Sequence, residues 1–399
     1  MEPRIRFQGF VELWKDSVLK DFFSKVTEKN SDFSYTKVLT NSAEYGIIAQ
    51  HDFFDFDVAN SKNIGGYYVV HPDDFVYNPR VSVTAPVGPI NRNKLGYTGV
   101  MSPLYLVFKI EGINKDYLCY YYRTNKWHRF MRLSGNCGAR FDRLSISDDI
   151  FVQMPIEHPT DPKEQEAICD FFDNIDTLID KANANLASLK QVKEASLKAM
   201  FPQEGETVPK IRFKGFDGEW KKVKLGEIFI ERTENDINGE MLSVTMHDGI
   251  IKASENGRFD NSNSDKSNYK LVLENDIAYN SMRMWQGASG CSPYRGIVSP
   301  AYTVITPNEG VDSKFFAFYF KTNEIIKKFR LHSQGLTKDT WNLKFPAFSK
   351  IQILYPLNEL EQQKIASYFT SLDRHISLQT QRLEKLKQIK AACLDKMFV

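Results

Sequence analysis

The chain says nearly the same thing twice, and this constrains its fold more than any other feature. "PRIRFQGFVELW" begins at Pro3 and "PKIRFKGFDGEW" begins at Pro209. The likeness continues in register. "DDFVYNPR" (Asp73–Arg80) matches "NDIAYNSMR" (Asn275–Arg283), and "GVMSPLYLVF" (Gly99–Phe108) matches "GIVSPAYTVI" (Gly296–Ile305). "LCYYYRTN" (Leu118–Asn125) matches "FAFYFKTN" (Phe316–Asn323), and "EQEAICDFFDNIDTLI" (Glu164–Ile179) matches "EQQKIASYFTSLDRHI" (Glu361–Ile376). The tails "LKQVKEASLKAMF" and "LKQIKAACLDKMF" close the two copies. A period of about 200 residues is too long for a solenoid unit, so each copy is a whole domain followed by a helix. The opening phrase reads as the strand and turn that start each copy, with no chemistry of its own.

The pattern predicts an α+β protein: a duplicated globular domain followed each time by a long helix. The boundaries are 1–153 and 204–352 for the domains, and 154–203 and 353–399 for the helical spacers. Asp161 is a helix cap, Pro162 suits the first turn, and Glu164 sits where a capping-box carboxylate belongs. Asn358 and Glu361 keep that spacing in the second copy, and Pro202 stops the first helix. Each helix is about 39 residues, or roughly 58 Å. Apolar positions Ile168, Phe172, Ile175, Ile179, Ala182, Leu186 and Leu189 step by 4 and 3. Ile365, Phe369, Leu372, Ile376, Gln379, Leu383 and Leu386 hold the same register, a heptad seam in both helices. The nearest partner for each seam is the other copy. An antiparallel coiled coil with pseudo-twofold symmetry would hold the two domains at opposite ends of a rod. The alternative is two independent segments that dimerise with other chains. Phe171, Val192, Leu197, Ile389 and Leu394 lie off the seam and offer a second apolar face to partner helices.

The globular halves read as strands and short helices, with "KFFAFYFKTNEIIKKF" (Lys314–Phe329) as one helix. Outside the framework motifs, loops such as "APVGPINRNKLGYTG" and "MWQGASGCSPYRG" differ in length and content, which suggests two sites reading different targets. Net charge is only +2, so any basic surface must be local. Local runs do exist. In the first domain the candidate DNA-binding residues are Arg80, Arg92, Lys94, Arg123, Lys126, Asn136, Arg140 and Arg143. In the second they are Arg283, Gln286, Arg295, Lys321, Gln334, Lys338, Thr340, Asn342 and Lys344. Long cations beside amides and hydroxyls suit phosphate positioning together with major-groove readout. A solvated charged face is the plain alternative.

Catalytic signatures are missing from the sequence. It has no G-x-x-x-x-G-K-[ST] loop, no H-E-x-x-H, no [DNS]-P-P-[YF] and no F-x-G-x-G. Pro72–Asp73 is the one P-D pair, and no carboxylate lies between Phe75 and Lys109 to complete a nuclease centre. Glu219–Trp220–Lys221 reads as framework. The five scattered cysteines suggest free thiols in a reducing compartment. No run of about 18 apolar residues spans a membrane, and no secretory leader opens the chain, so a cytoplasmic protein is expected.

The paired phrases, the "YNSMRMWQG…GIVSPAY" run, the "EQEAI" and "EQQKI" helix openings and the "KAMF" and "DKMF" tails together resemble the specificity subunit of type I restriction-modification enzymes. The resemblance spans essentially the whole chain, although "YNPRVSVTAPVG" in the first copy lacks the M-R-M core. It implies two target recognition domains reading a bipartite, asymmetric site in double-stranded DNA. It implies helices that dock two N6-adenine methyltransferase subunits, and two ATP-driven restriction subunits that complete a defence against foreign DNA. S-adenosylmethionine, ATP and Mg2+ would belong to those partners, with no cofactor, metal or catalytic residue in this chain. Two other readings stay open: a stand-alone DNA-modifying enzyme with degenerate motifs, and a coiled-coil scaffold with protein-binding heads.

Overall fold

The computed structural model describes residues 2–52, 61–136, 142–246, 249–255, 265–338 and 340–399. They form two compact units. One comprises residues 1–183 with 382–399, and the other residues 184–381. The chain therefore divides within each long helix and not at the helix ends.

In the first unit, strands Phe23–Lys25, Leu106–Ile110, Phe75–Tyr77 and Ile90–Arg92 lie side by side in that order as an antiparallel sheet. In the second unit, Phe229–Glu231, Tyr302–Pro307, Ile277–Asn280 and Ser289–Cys291 repeat the order. The turn into each central strand is the same. Asp73 and Asn275 have φ of 72° and 67°, a left-handed conformation that Asp and Asn tolerate better than other side chains. Each domain, or head, is closed by one antiparallel pair, Lys15–Val18 with Pro155–His158 and Lys221–Lys224 with Gln352–Tyr355.

The opening phrase has a structural explanation. Arg6 donates from Nε and Nη2 to the two Glu164 carboxylate oxygens at 2.7 and 2.8 Å, and Trp14 Nε1 donates to the same carboxylate at 3.2 Å. Arg212, Trp220 and Glu361 repeat this clasp at 2.7, 2.8 and 3.4 Å. Both glutamates are 1% exposed, so the ionised form depends on these donors. The capping-box expectation for Glu164 gives way to this clasp, and Asp161 Oδ1 caps the helix by accepting from Lys163 N. The neighbouring glutamines act too. Gln165 Oε1 accepts from Asn114 N, and Gln362 Oε1 from Asp312 N, each at the residue that caps the next short helix.

The helix expected over Lys314–Phe329 is two helices, Ser313–Tyr319 and Asn323–His332. The Thr322 hydroxyl donates to the Tyr319 carbonyl, and Thr322 has extended backbone, so the first helix ends there and the second begins. Thr124 does the same to Tyr121 in the first unit.

The long helices are Pro162–Ala199 and Glu359–Met397. Of the seam, Ile168, Phe172, Ile175, Ile365, Phe369, Leu372 and Leu383 are buried, and Ile179, Leu186, Leu189, Ile376 and Leu386 are half-buried. The residues just past each helix pack into the unit built around the other copy. Phe201 lies in the second unit, stacked on Tyr319 at 4.9 Å and against Phe369 at 5.9 Å. Phe398 lies in the first unit, against Tyr117 at 5.3 Å and Phe172 at 6.0 Å. Phe201 is 0% and Phe398 2% exposed. Backbone bonds Ile211 N to Ala199 O and Ile5 N to Lys396 O tie each opening phrase to these helix ends.

Candidate nucleic-acid interface

In each head a short arm follows the second short helix. In the first, Asn136 pairs with Ser145 through two backbone bonds of 2.8 and 2.9 Å. The returning strand then pairs with the loop after Tyr77: Val81 N donates to Asp142 O and Leu144 N to Pro79 O, both at 2.9 Å. In the second, Gln334 pairs with Asn342, and Leu343 N donates to Ser281 O at 2.8 Å. The arm binds the loop because both carry backbone groups that would otherwise be buried unpaired. Leu144 and Leu343, 4% and 0% exposed, anchor the arms to the cores.

This geometry sorts the candidates. Arg80 and Arg143 face each other across an antiparallel bridge at the base of the first arm. Asn136 lies on the same arm, and Arg140 lies outside the described residues. Gln334, Lys338, Thr340 and Asn342 lie along the second arm, and Arg283 and Gln286 on the loop beside it. Lys344 immediately precedes the short helix Phe345–Phe348, without a side-chain capping bond.

Other candidates are held inside their own unit. Arg92 is clamped by Asp73 at 2.6 Å and Asp116 at 3.1 Å, and Lys94 by Asp116 at 2.6 Å. Arg123 bonds Asp176 at 3.1 Å and sits 5.0 Å over the Tyr120 ring. Arg92, Lys94 and Arg123 line a cleft of about 770 Å³ with Asp176, Asp180 and Lys390. Burial raises the Asp116 carboxyl, but hydrogen bonds and charge from Lys94 and Arg92 outweigh it and hold it below the usual range. Arg295 faces Asp236 at 3.5 Å, Lys321 is also engaged, and Lys126 is half-buried in the turn before the helix His128–Ser134. Asp148, a carboxylate close in sequence to Arg143, is paired with Lys25.

The sequence reading missed an aromatic cluster on the second head. Trp285 and Trp341 meet edge to face at 5.3 Å, and Arg330 lies 5.7 Å over Trp285 while donating to its carbonyl. The "MWQG" loop was visible as divergent, but Trp341 joins it only through the arm, a contact without local sequence signal.

Burial pushes the Cys169 and Cys291 thiols up to about 12, which leaves them un-ionised. Among the described residues no group of three or more His, Cys, Asp or Glu could hold a metal ion, and no helix is long and apolar enough to cross a membrane.

Residues 217–388 match the family model described as Type I restriction modification DNA specificity domain. The fold is similar to the S subunit of a type I restriction-modification system from M. genitalium, with TM-score 0.59, 13% identity, and coverage of 100% of this chain and 99% of that one. It is also similar to a structure described as underlying complex assembly and conformational transition of the type I R-M system, with TM-score 0.52, 14% identity, and coverage of 98% and 99%. No curated protein matches in sequence.

Proposed function

We infer, from a second half that matches the model of the type I restriction-modification DNA specificity domain, that the whole chain is the non-catalytic specificity subunit of such an enzyme, reading a bipartite, asymmetric DNA site. The observation that carries this to both halves is the duplicated arm. Each head bonds an arm to the loop after its central strand, through Leu144 N to Pro79 O in one and Leu343 N to Ser281 O in the other. Cations and amides on these arms are suited to phosphate and base edges.

The long helices, on this reading, pair antiparallel along their length with pseudo-twofold symmetry. Support comes from each unit separately. Asp176 pairs with Lys390 in the first unit and Asp373 with Lys193 in the second, the same two positions exchanged between copies. Ser196 and Tyr368 share a 2.9 Å hydrogen bond in the second unit. The exposed faces, with Val192 and Ile389 at equivalent positions and 43% and 41% exposed, would dock two methyltransferase subunits, and two restriction subunits would join them in the cytoplasm. S-adenosylmethionine, ATP and Mg2+ would be bound by those partners.

The test is a duplex-DNA shift with the chain alone and with methyltransferase subunits, beside binding of labelled S-adenosylmethionine to the chain. A specificity subunit gives sequence-selective shifts with its partner and binds no S-adenosylmethionine alone. Exchange of residues 24–153 for another member's head should change one half-site only. Removing one heptad from both helices, about 10 Å of rise, should change the spacer and neither half-site. A spacer unchanged in an assembled complex would show that the helices do not set it.

A further inference from the structure

The heads correspond residue by residue at the base of the arm. Tyr77-Asn78-Pro79 and Tyr279-Asn280-Ser281 end equivalent strands, and the bonds Leu144 N to Pro79 O and Leu343 N to Ser281 O fix the opposite strand. One residue outward from these anchors the first head has Arg80 and Arg143 and the second Met282 and Asn342; only the arginines are bridged to each other, Asn342 pairing with Gln334.

These positions are more open than the anchors. Side chains alternate along a strand, so beside the buried Leu144 and Leu343 Arg143 and Asn342 are half-buried, and Arg80 across from Arg143 is exposed. In the first head the flanking bonds make Arg80 and Arg143 a non-hydrogen-bonded antiparallel pair, with Cα atoms about 4.5 Å apart and side chains leaving the same face. Like charges directly opposite are destabilising. Among the described residues no carboxylate answers either guanidinium; Arg80 uses only its backbone N–H, toward Asn78. A doubled fork of donors thus stands together without a carboxylate acceptor among the described residues. Guanine offers the matching pair of acceptors, O6 and N7, on its major-groove edge.

The second head presents the opposite chemistry. Met282 is 45% exposed, uncharged and polarisable. Asn342 is half-buried, and among the described residues its buried amide oxygen has no hydrogen-bond partner, a deficit that an external donor would relieve if the amide turned outward. Adenine supplies a donor at N6 beside an acceptor at N7, and an apolar side chain meets the thymine methyl.

We propose that Arg80 and Arg143 in one head, and Met282 and Asn342 in the other, determine the base pair accepted at the corresponding point of each half-site: guanine for the first head, an A·T pair for the second. This rests on the chain being a DNA-specificity subunit. The experiment is selection of bound sites from random duplex DNA by the full complex with its methyltransferase subunits, the half-sites being assigned by the exchange of residues 24–153.

The wild type should fix a guanine in the first half-site and an A·T pair in the second. R80M/R143N should exchange the guanine for A·T, with preference for guanine falling roughly 5- to 150-fold. R143K keeps the charge and loses the fork, so preference should relax while the salt dependence of non-specific binding stays the same. Unchanged thermal unfolding confirms that the variants fold. Wild-type selection by R143K would mean a phosphate grip and overturn the proposal, as would a first half-site without a fixed G·C pair. A complex that selects no site at all would overturn the specificity-subunit reading and this proposal with it.

Discussion

The two heads share a frame and differ at their tips, and the line between the two is physical. Residues that recur are those whose side chains are used inside the molecule. Trp14 and Trp220 bond the buried glutamates, Thr124 and Thr322 end a helix, and Tyr77 and Tyr279 lie buried in the central strands. Where nothing internal holds a side chain, the heads part company. A bridged arginine pair stands in one, whereas in the other Met282 lies on a turn and Asn342 pairs with Gln334. The arms also pair differently: Asn136 meets Ser145, one residue beyond Leu144, whereas Gln334 meets Asn342, one residue before Leu343. Internal bonding fixes the scaffold and leaves the outward positions to be set by what they touch.

The comparison is open to attack at the frame first. Glu164→Ala and Glu361→Ala each strand a mostly buried arginine, and each should cost about 3–5 kcal/mol, measured by urea unfolding of the full chain. Similar losses would show that the two clasps are equivalent in energy as well as in geometry. A large loss in one and little in the other would break the equivalence.

A second experiment separates structural from outward cations. Arg92→Ala removes charge-assisted bonds to Asp73 and Asp116 and should cost about 1.5–3 kcal/mol of stability, with base preference unchanged in site selection. Arg80→Ala should stay within about 0.5 kcal/mol and change binding. A reversed pattern would move the DNA-facing surface from the arm to the cleft.

The smallest effect concerns the helices. Lys390→Ala and Lys193→Ala should each cost about 0.2–1 kcal/mol, less at high salt. For Asp176, burial works to raise the carboxyl, but Lys390 and Arg123 outweigh it and hold it below its ordinary range. Its contribution is therefore present above the unfolded value near pH 4 and is lost as pH falls through the lower folded value. Unfolding measured from pH 6 to pH 2 should show a shallower acid limb for Lys390→Ala than for the wild type. An identical limb would mean that the pair contributes nothing.

Much of this architecture could be read from the sequence because the repeat aligns chemistry with chemistry. The duplication, the two long helices and their apolar seam all rest on spacing, and spacing is local. What escaped the reading depends on long-range contact. Glu164 looked like a capping carboxylate until Arg6, 158 positions away, occupied it. Arg92, Lys94 and Arg123 looked like free cations because Asp73, Asp116 and Asp176 are brought to them only by folding. Arg80 and Arg143 were both visible as basic residues, but their apposition needs a strand pairing that no short window contains.

The packing of Phe201 and Phe398 has a consequence for how such a chain could arise. One copy alone has a vacancy where an aromatic ring belongs, because its own helix delivers that ring to the other unit. A half-length chain could fill the vacancy only by trading helix ends with a second molecule, at the entropic cost of association. Joining two copies in one polypeptide turns that trade into an intramolecular event at high effective concentration. The join also frees the halves from identity: two separate but identical chains must carry the same tips, whereas a fused pair can hold arginines on one and an asparagine on the other.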